Sequence, residues 1–163
     1  MIDVVDRVTR SRMMAGIRGK DTKPELDLRR ALHRGGLRYR LHVAGLPGRP
    51  DIVLRRYSAI VEVHGCFWHR HERCLFCTTP ASNRRFWKLK FGETVKRDKR
   101  NLEALRKLGW KVAIVWECSV KDEGPEAVAG KIAAWLQSGR SFKEISSRRA
   151  RASPRRILSK KKT

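Results

Sequence analysis

Apolar positions along the chain change period several times, and each change marks an element. After Thr22-Lys23-Pro24-Glu25, the residues Leu26, Leu28, Ala31 and Leu32 recur at helical spacing until Gly35-Gly36. Threonine with glutamate three residues later is a capping box, and proline suits a first helical turn, so a helix is predicted from about Lys23 to the glycines. Residues 38–43 alternate as a strand, Leu46-Pro47-Gly48-Arg49-Pro50 reads as a turn, and Asp51-Ile52-Val53-Leu54 opens a second strand. A tight turn near Arg56-Tyr57 leads to a third strand over residues 58–64. Its alternation sends Ala59, Val61 and Val63 to one face and Ile60, Glu62 and His64 to the other.

Ser82-Asn83 is placed to cap a long helix over residues 84–108. Phe86, Leu89, Val95, Leu102, Leu105 and Leu108 mark its predicted buried stripe, and Gly109 ends it. Residues 111–117 form a fourth strand, whose nearly unbroken Val112-Ala113-Ile114-Val115 predicts a central position buried on both faces. A closing helix over residues 125–136 buries Val128, Ile132, Trp135 and Leu136. Strands interleaved with helices make this an α/β chain, with a central sheet flanked by helices. At the start, Met13, Met14 and Ile17 sit among Arg7, Arg10, Arg12, Arg18 and Lys20. That pattern fits a short amphipathic helix or a basic arm carrying an apolar wedge, and spacing alone favours the helix. Beyond Ser138 the composition shifts to Ser, Arg and Lys, which predicts a disordered basic tail. The expected organisation is an arm over 1–20, one domain over 21–138 and a tail over 139–163.

Charge narrows the function. The 163 residues carry 39 Lys plus Arg against 16 Asp plus Glu, a formal net charge of +23. Such an excess points to a polyanion, with nucleic acid as the default. No long apolar segment and no basic amphipathic anchor points to a membrane, and no signal-peptide pattern is present, so a cytoplasmic location is expected. Four cysteines clustered with histidines in such a chain read as metal ligands before disulfides.

The candidate chemistry is concentrated in residues 61–77, Val-Glu-Val-His-Gly-Cys-Phe-Trp-His-Arg-His-Glu-Arg-Cys-Leu-Phe-Cys. Imidazole and thiolate together suit zinc, and the available donors are Cys66, His69, His71, Cys74, Cys77 and Cys118. Cys66, His71 and Cys118 make three ligands; either Cys74 or Cys77 completes the set. His69 is left out of it, because a hydrolase needs one free imidazole. Glu62 and His64 on one strand face, with Asp51 starting the neighbouring strand, suit metal-assisted hydrolysis. Glu25 has a complete explanation as a cap. Adjacent Phe67 and Trp68 just past a strand suit insertion into DNA.

Three motifs, Leu46-Pro-Gly-Arg-Pro-Asp51, His64-Gly-Cys-Phe-Trp-His69 and Val115-Trp-Glu-Cys118, closely resemble the very short patch repair (Vsr) mismatch endonucleases, in collinear order from about Val8 to Leu136. The resemblance implies a restriction-endonuclease-like fold of the PD-(D/E)xK type with a structural zinc site. It implies Mg²⁺ held by Asp51 and the Val63 carbonyl, with His64 standing where that superfamily has lysine. It makes His69 the general base, Asp98 the carboxylate that orients it, and Glu25 a holder of metal-bound water. Phe67, Trp68 and Trp87 would enter DNA from the major groove and Met14 from the minor groove, and Cys74 is favoured as the fourth zinc ligand. The family does not require an acid at Glu62, whereas strand alternation directs this one toward Asp51. The implied activity is Mg²⁺-dependent nicking of one strand beside a T:G mismatch left by 5-methylcytosine deamination. A monomer is expected, working with general mismatch-repair proteins and a cytosine-5 DNA methyltransferase. Two rivals stand beside this: a zinc-stabilised DNA-binding module without activity, and a related nuclease with another DNA target.

Overall fold

The computed structural model describes residues 6–15 and 19–147. Five strands form one mixed sheet in the order β1-β2-β3-β4-β5: β1 (Arg40–Leu41), β2 (Ile52–Leu54), β3 (Ala59–His64), β4 (Lys111–Trp116) and β5 (Phe142–Ile145). The first three pair antiparallel, while β3–β4 and β4–β5 are parallel. The helices are α1 (Arg7–Ala15), α2 (Lys23–Arg34), α3 (Arg84–Lys107), α4 (Glu117–Glu123) and α5 (Pro125–Gln137). A 3-10 turn over Arg55–Tyr57 joins β2 to β3.

The alternation predicted for β3 divides the core. Ala59 and Val61 face a cluster with Leu28 and Leu32 of α2 and Val128, Ile132 and Trp135 of α5. Ile60 faces the other way, with Val53, Val112 and Leu105 of α3. Helices therefore cover both sheet faces, as the apolar run of β4 requires. Helix α2 begins as its sequence predicts: Glu25 Oε2 accepts from the Thr22 amide at 3.4 Å, and Pro24 sits in the first turn.

Four details depart from the sequence reading. The strand expected over 38–43 shrinks to two residues, because His42 turns into the left-handed region at φ 44° and breaks the ladder. Asn83 also takes a positive φ of 50°, so its side chain makes no cap bond to α3. In α3 itself, Phe86, Leu89, Val95 and Leu108 are exposed, and Trp87, Phe91, Thr94 and Leu105 are buried. At its start the inward stripe follows the aromatic residues and the site, while toward its end Leu105 is buried and Leu102 packs against the core as expected. Finally, residues 142–145 form β5 where a tail was expected to begin at 139. The exposed edge of β4 offers unpaired amides and carbonyls, and β5 satisfies them while burying Ile145 to 3% exposure. The remainder of that tail, 148–163, lies outside the described residues, as do residues 1–5 and 16–18 of the arm.

Strand β5 makes residues 139–147 part of the fold, and this is testable. Ile145→Ala should lower the free energy of unfolding in urea by about 2–4 kcal/mol, as for other large-to-small core changes. A loss within about 0.5 kcal/mol would return the segment to a surface tail.

Candidate active site and metal centre

Strands β2 and β3 carry the acids. The Ile52↔Val61 pair places Asp51 beside Glu62, one step beyond the end of the β2 ladder. Asp51 Oδ2 accepts a hydrogen bond from the Val63 amide at 2.8 Å, which fixes its carboxylate across the end of β3. Both acids line a cleft of about 730 Å³ between the sheet and α3. Burial pushes the Asp51 carboxyl above its ordinary range. Burial and the adjacent Asp51 charge push Glu62 up to about 8. Two adjacent buried carboxylates are oxygen donors of the kind that suit a hard divalent cation.

Across the cleft floor, His69 Nδ1 lies 2.5 Å from Asp98 Oδ2. Burial raises the Asp98 carboxyl, but its bond to His69 and that residue's charge outweigh this and hold it below the ordinary range. When the His69 ring is neutral, Asp98 accepting from Nδ1–H leaves its Nε2 lone pair open to a proton. The His64 ring stacks on His69 at 3.9 Å and 10°. Burial, then the neighbouring His69, lowers His64 to about 3, so it is neutral near pH 7. Glu25 also lines the cleft, 2% exposed.

Past the end of β3 the chain turns sharply, and that turn builds the second centre. The His69 amide donates to Gly65 O, the His71 amide to Cys66 O, both at 3.0 Å, and the Cys66 amide to Glu117 Oε1 at 2.8 Å. Cys66, His71, Cys74 and Cys118 thereby bring ligand atoms within 4.8 Å of one another. His71 Nδ1 is 3.5 Å from both Cys66 Sγ and Cys118 Sγ, and its ring stacks on Trp116 at 4.2 Å. Three thiols and one imidazole fit zinc. Cys74 is in the cluster, and half-buried Cys77 packs against it. Strand β4 ends at Trp116, one residue earlier than expected, and Cys118 is the second residue of α4. A hydrogen bond from Cys66, acting against burial, lowers the Cys118 thiol to about 5, and the same bond pushes Cys66 up.

The aromatic residues form one pile. Phe67 meets Trp68, Trp87 and Phe91 edge-on with centroids 5.0, 5.7 and 5.1 Å away. Trp68 is half-buried at the cleft rim, whereas Trp87 is 7% exposed and lies beneath it at 6.0 Å. Met14 lines the same cleft from α1. Sequence reasoning missed Phe91 and Arg70. The Arg70 guanidinium lies 4.1 Å over the Phe91 ring and donates to Thr78 O and Thr79 Oγ1 at 2.8 Å. The signal that could have found Phe91 is the 87, 91, 94, 98 spacing, which puts it on the same α3 face as Asp98.

Residues 2–75 match the family model described as DNA mismatch endonuclease Vsr. Over 139 residues the chain is 41% identical to the DNA mismatch endonuclease Vsr of Escherichia coli (strain K12), spanning 83% of this chain and 88% of that one. It is 42% identical over 123 residues to the type II nicking enzyme V.NmeAIP of Neisseria meningitidis serogroup A, spanning 76% of this chain and 87% of that one. The type II nicking enzyme V.XorIIP of Xanthomonas oryzae pv. oryzae is 41% identical over 124 residues, with 76% and 90% covered. With this identity over most of its length, and with its histidines and acids gathered in one cleft, the chain belongs to the Vsr family of DNA mismatch endonucleases.

Proposed function

We propose that this endonuclease nicks one strand of duplex DNA beside a T:G mismatch, in very short patch repair, by Mg²⁺-dependent phosphodiester hydrolysis. The observation that carries the reading is the Asp98–His69–His64 array facing the Asp51–Glu62 pair across one cleft. Asp51, Glu62 and the Val63 carbonyl would hold Mg²⁺, which when bound offsets charge on the scissile phosphate. His69 Nε2 takes the proton from the attacking water, and Asp98 holds the ring in the tautomer that permits this. His64, neutral and stacked on His69, hydrogen-bonds near the phosphate. Glu25 orients water from the cleft wall.

Zn²⁺ at Cys66, His71, Cys74 and Cys118 would be structural: four protein donors leave no open position for substrate. Phe67 and Trp68 enter the duplex beside the mismatch, with buried Trp87 as the platform behind them. Unstacking costs least at a weakened pair, so the wedge contributes to selection. Met14 approaches from the opposite groove, with residues 1–20 as its arm, and the basic residues after β5 add affinity without sequence preference. The enzyme is taken to act as a monomer in the cytoplasm; among the described residues no helix is long and apolar enough to cross a membrane.

Asp51→Asn should abolish nicking of a T:G duplex and spare DNA binding. Glu62→Gln should raise the Mg²⁺ concentration needed for half-maximal nicking, and an unchanged titration would remove Glu62 from the metal.

Cys74→Ser should lose the bound zinc and unfold readily, whereas Cys77→Ser should keep about one zinc per chain with a normal melting curve. Metal analysis of the two purified variants decides it, and the reverse pattern would move the fourth ligand to Cys77.

Trp68→Ala should weaken binding to mismatched duplex by roughly 1–3 kcal/mol, the scale of base–aromatic stacking. Equal losses on matched and mismatched duplex would count against the wedge.

A further inference from the structure

Behind the cleft wall that carries Glu25 lies a polar cluster that no step above uses. Arg29, one turn further along α2, is 6% exposed. Its Nη2 donates to the Glu25 carboxylate and, at 2.9 Å, to His42 Nε2; its Nη1 donates to Asp21 Oδ1 at 2.7 Å. The same His42 Nε2 lies 3.5 Å from Glu25 Oε1 and 3.6 Å from Asp21 Oδ1, so the imidazole closes the cluster around the guanidinium. Asp21, Glu25 and His42 present donor atoms within 4.8 Å of one another, the spacing of a cation site. Arg29 is the cation in it.

The backbone is bent on both sides to make this cluster. Asp21 has φ 57° and His42 φ 44°, a region that non-glycine residues seldom adopt. Starting α2 does not require it, since the Thr22–Glu25 box and Pro24 already do that. Nor does a buried ion pair add much net stability once desolvation is counted. What the arrangement does achieve is to leave a buried carboxylate compensated and immobile at the edge of the cleft. Only arginine reaches three acceptors at once from one rigid fork; lysine supplies the charge without the geometry.

We propose that Arg29, anchored by Asp21 and His42, is a positioning residue that holds the Glu25 carboxylate at the cleft wall for strand nicking. This rests on the role given to Glu25 above. The test is single-turnover nicking of a T:G duplex by the full chain carrying Glu25→Gln, Arg29→Met, Arg29→Lys or the Glu25→Gln/Arg29→Met pair, alongside duplex binding and thermal melting. Arg29→Met should slow nicking at saturating enzyme by roughly 100-fold, the scale of a misplaced catalytic group, with duplex affinity unchanged. Arg29→Lys should recover about a tenfold part of that, and the double variant should be no slower than Glu25→Gln alone. Multiplying losses in the double variant, or a lowered melting temperature with the rate of the folded protein intact, would overturn the proposal. If Glu25→Gln nicks at the full rate, the role of Glu25 itself fails; if it is slow while Arg29→Met is fast, only the positioning role fails. Should Arg29→Met not fold, His42→Gln and Asp21→Asn trim the anchor and keep the ion pair. A slowed rate that Glu25→Gln masks supports the proposal, and an unslowed one overturns it.

Discussion

The parallel pairing of β3 with β4 sets where everything chemical lies. In that register His64 is opposite Trp116, so both strands end together and the chain leaves both at one sheet edge. From the end of β3 come His64 and, after the turn, Cys66 and His69; from the end of β4 come Trp116 and Cys118. Trp116 sits between the two centres. His71 stacks on it at 4.2 Å from the thiol side, and His64 meets it edge-on at 5.4 Å from the cleft side. Slipping β4 by one residue would move Trp116 to the other sheet face and remove Cys118 from the thiol cluster. Strand register, more than any single contact, holds the two centres in one geometry.

Charge is arranged in two opposed layers. The chain as a whole is strongly positive, which draws in a duplex and its backbone. The cleft itself gathers Glu25, Asp51, Glu62 and Asp98, which would repel a phosphate. Two of these acids have ion-pair partners: Glu25 in Arg29, and Asp98 in His69 and, at 3.5 Å, in Arg97. No salt bridge reaches Asp51 or Glu62 among the described residues; burial pushes both carboxyls upward, and the Asp51 charge adds to this at Glu62. The basic surface supplies attraction at long range; the acids decide what happens at contact.

Much of this was legible in the residues. Period-two alternation in β3 put Glu62 and His64 on one face, and the capping box placed Glu25 at the start of α2. The donor types around residues 64–77 pointed to a thiol–imidazole centre before any geometry. What stayed hidden depends on tertiary contacts. The buried face of α3 was read correctly at Leu102 and Leu105 but not in its first turns, which face an aromatic pile and a polar cleft. A helix lying over a site buries Trp87, Phe91 and Thr94 and turns Leu89 outward. Strand β5 was hidden for a related reason: Phe142-Lys-Glu-Ile145 has little apolar pattern, and its place comes from the open edge of β4. The short β1 and the turn at His42 were invisible because a left-handed histidine has no local sequence signal.

The residues proposed as wedge and as base are consecutive, and that adjacency would join selection to chemistry. Phe67, Trp68 and His69 lie in one turn, closed by the His69 amide donating to Gly65 O. One end of the turn is fixed through Cys66, which is buried in the thiol cluster and bonded to Glu117. The other is fixed by Arg70, which is tied to Thr78 and Thr79 and lies over Phe91. The rings therefore have a rigid footing, with Trp87 and Phe91 of α3 behind them. Asp98, which orients His69, projects from the same helix 11 residues on from Trp87, close to three turns and so on the same face. On the proposed roles, a base step that accommodates Phe67 and Trp68 would present its backbone to a histidine whose position is referenced to the same two anchors. A duplex that resists opening would then hold its phosphate away from His69, and discrimination would fall on the rate of nicking as well as on binding.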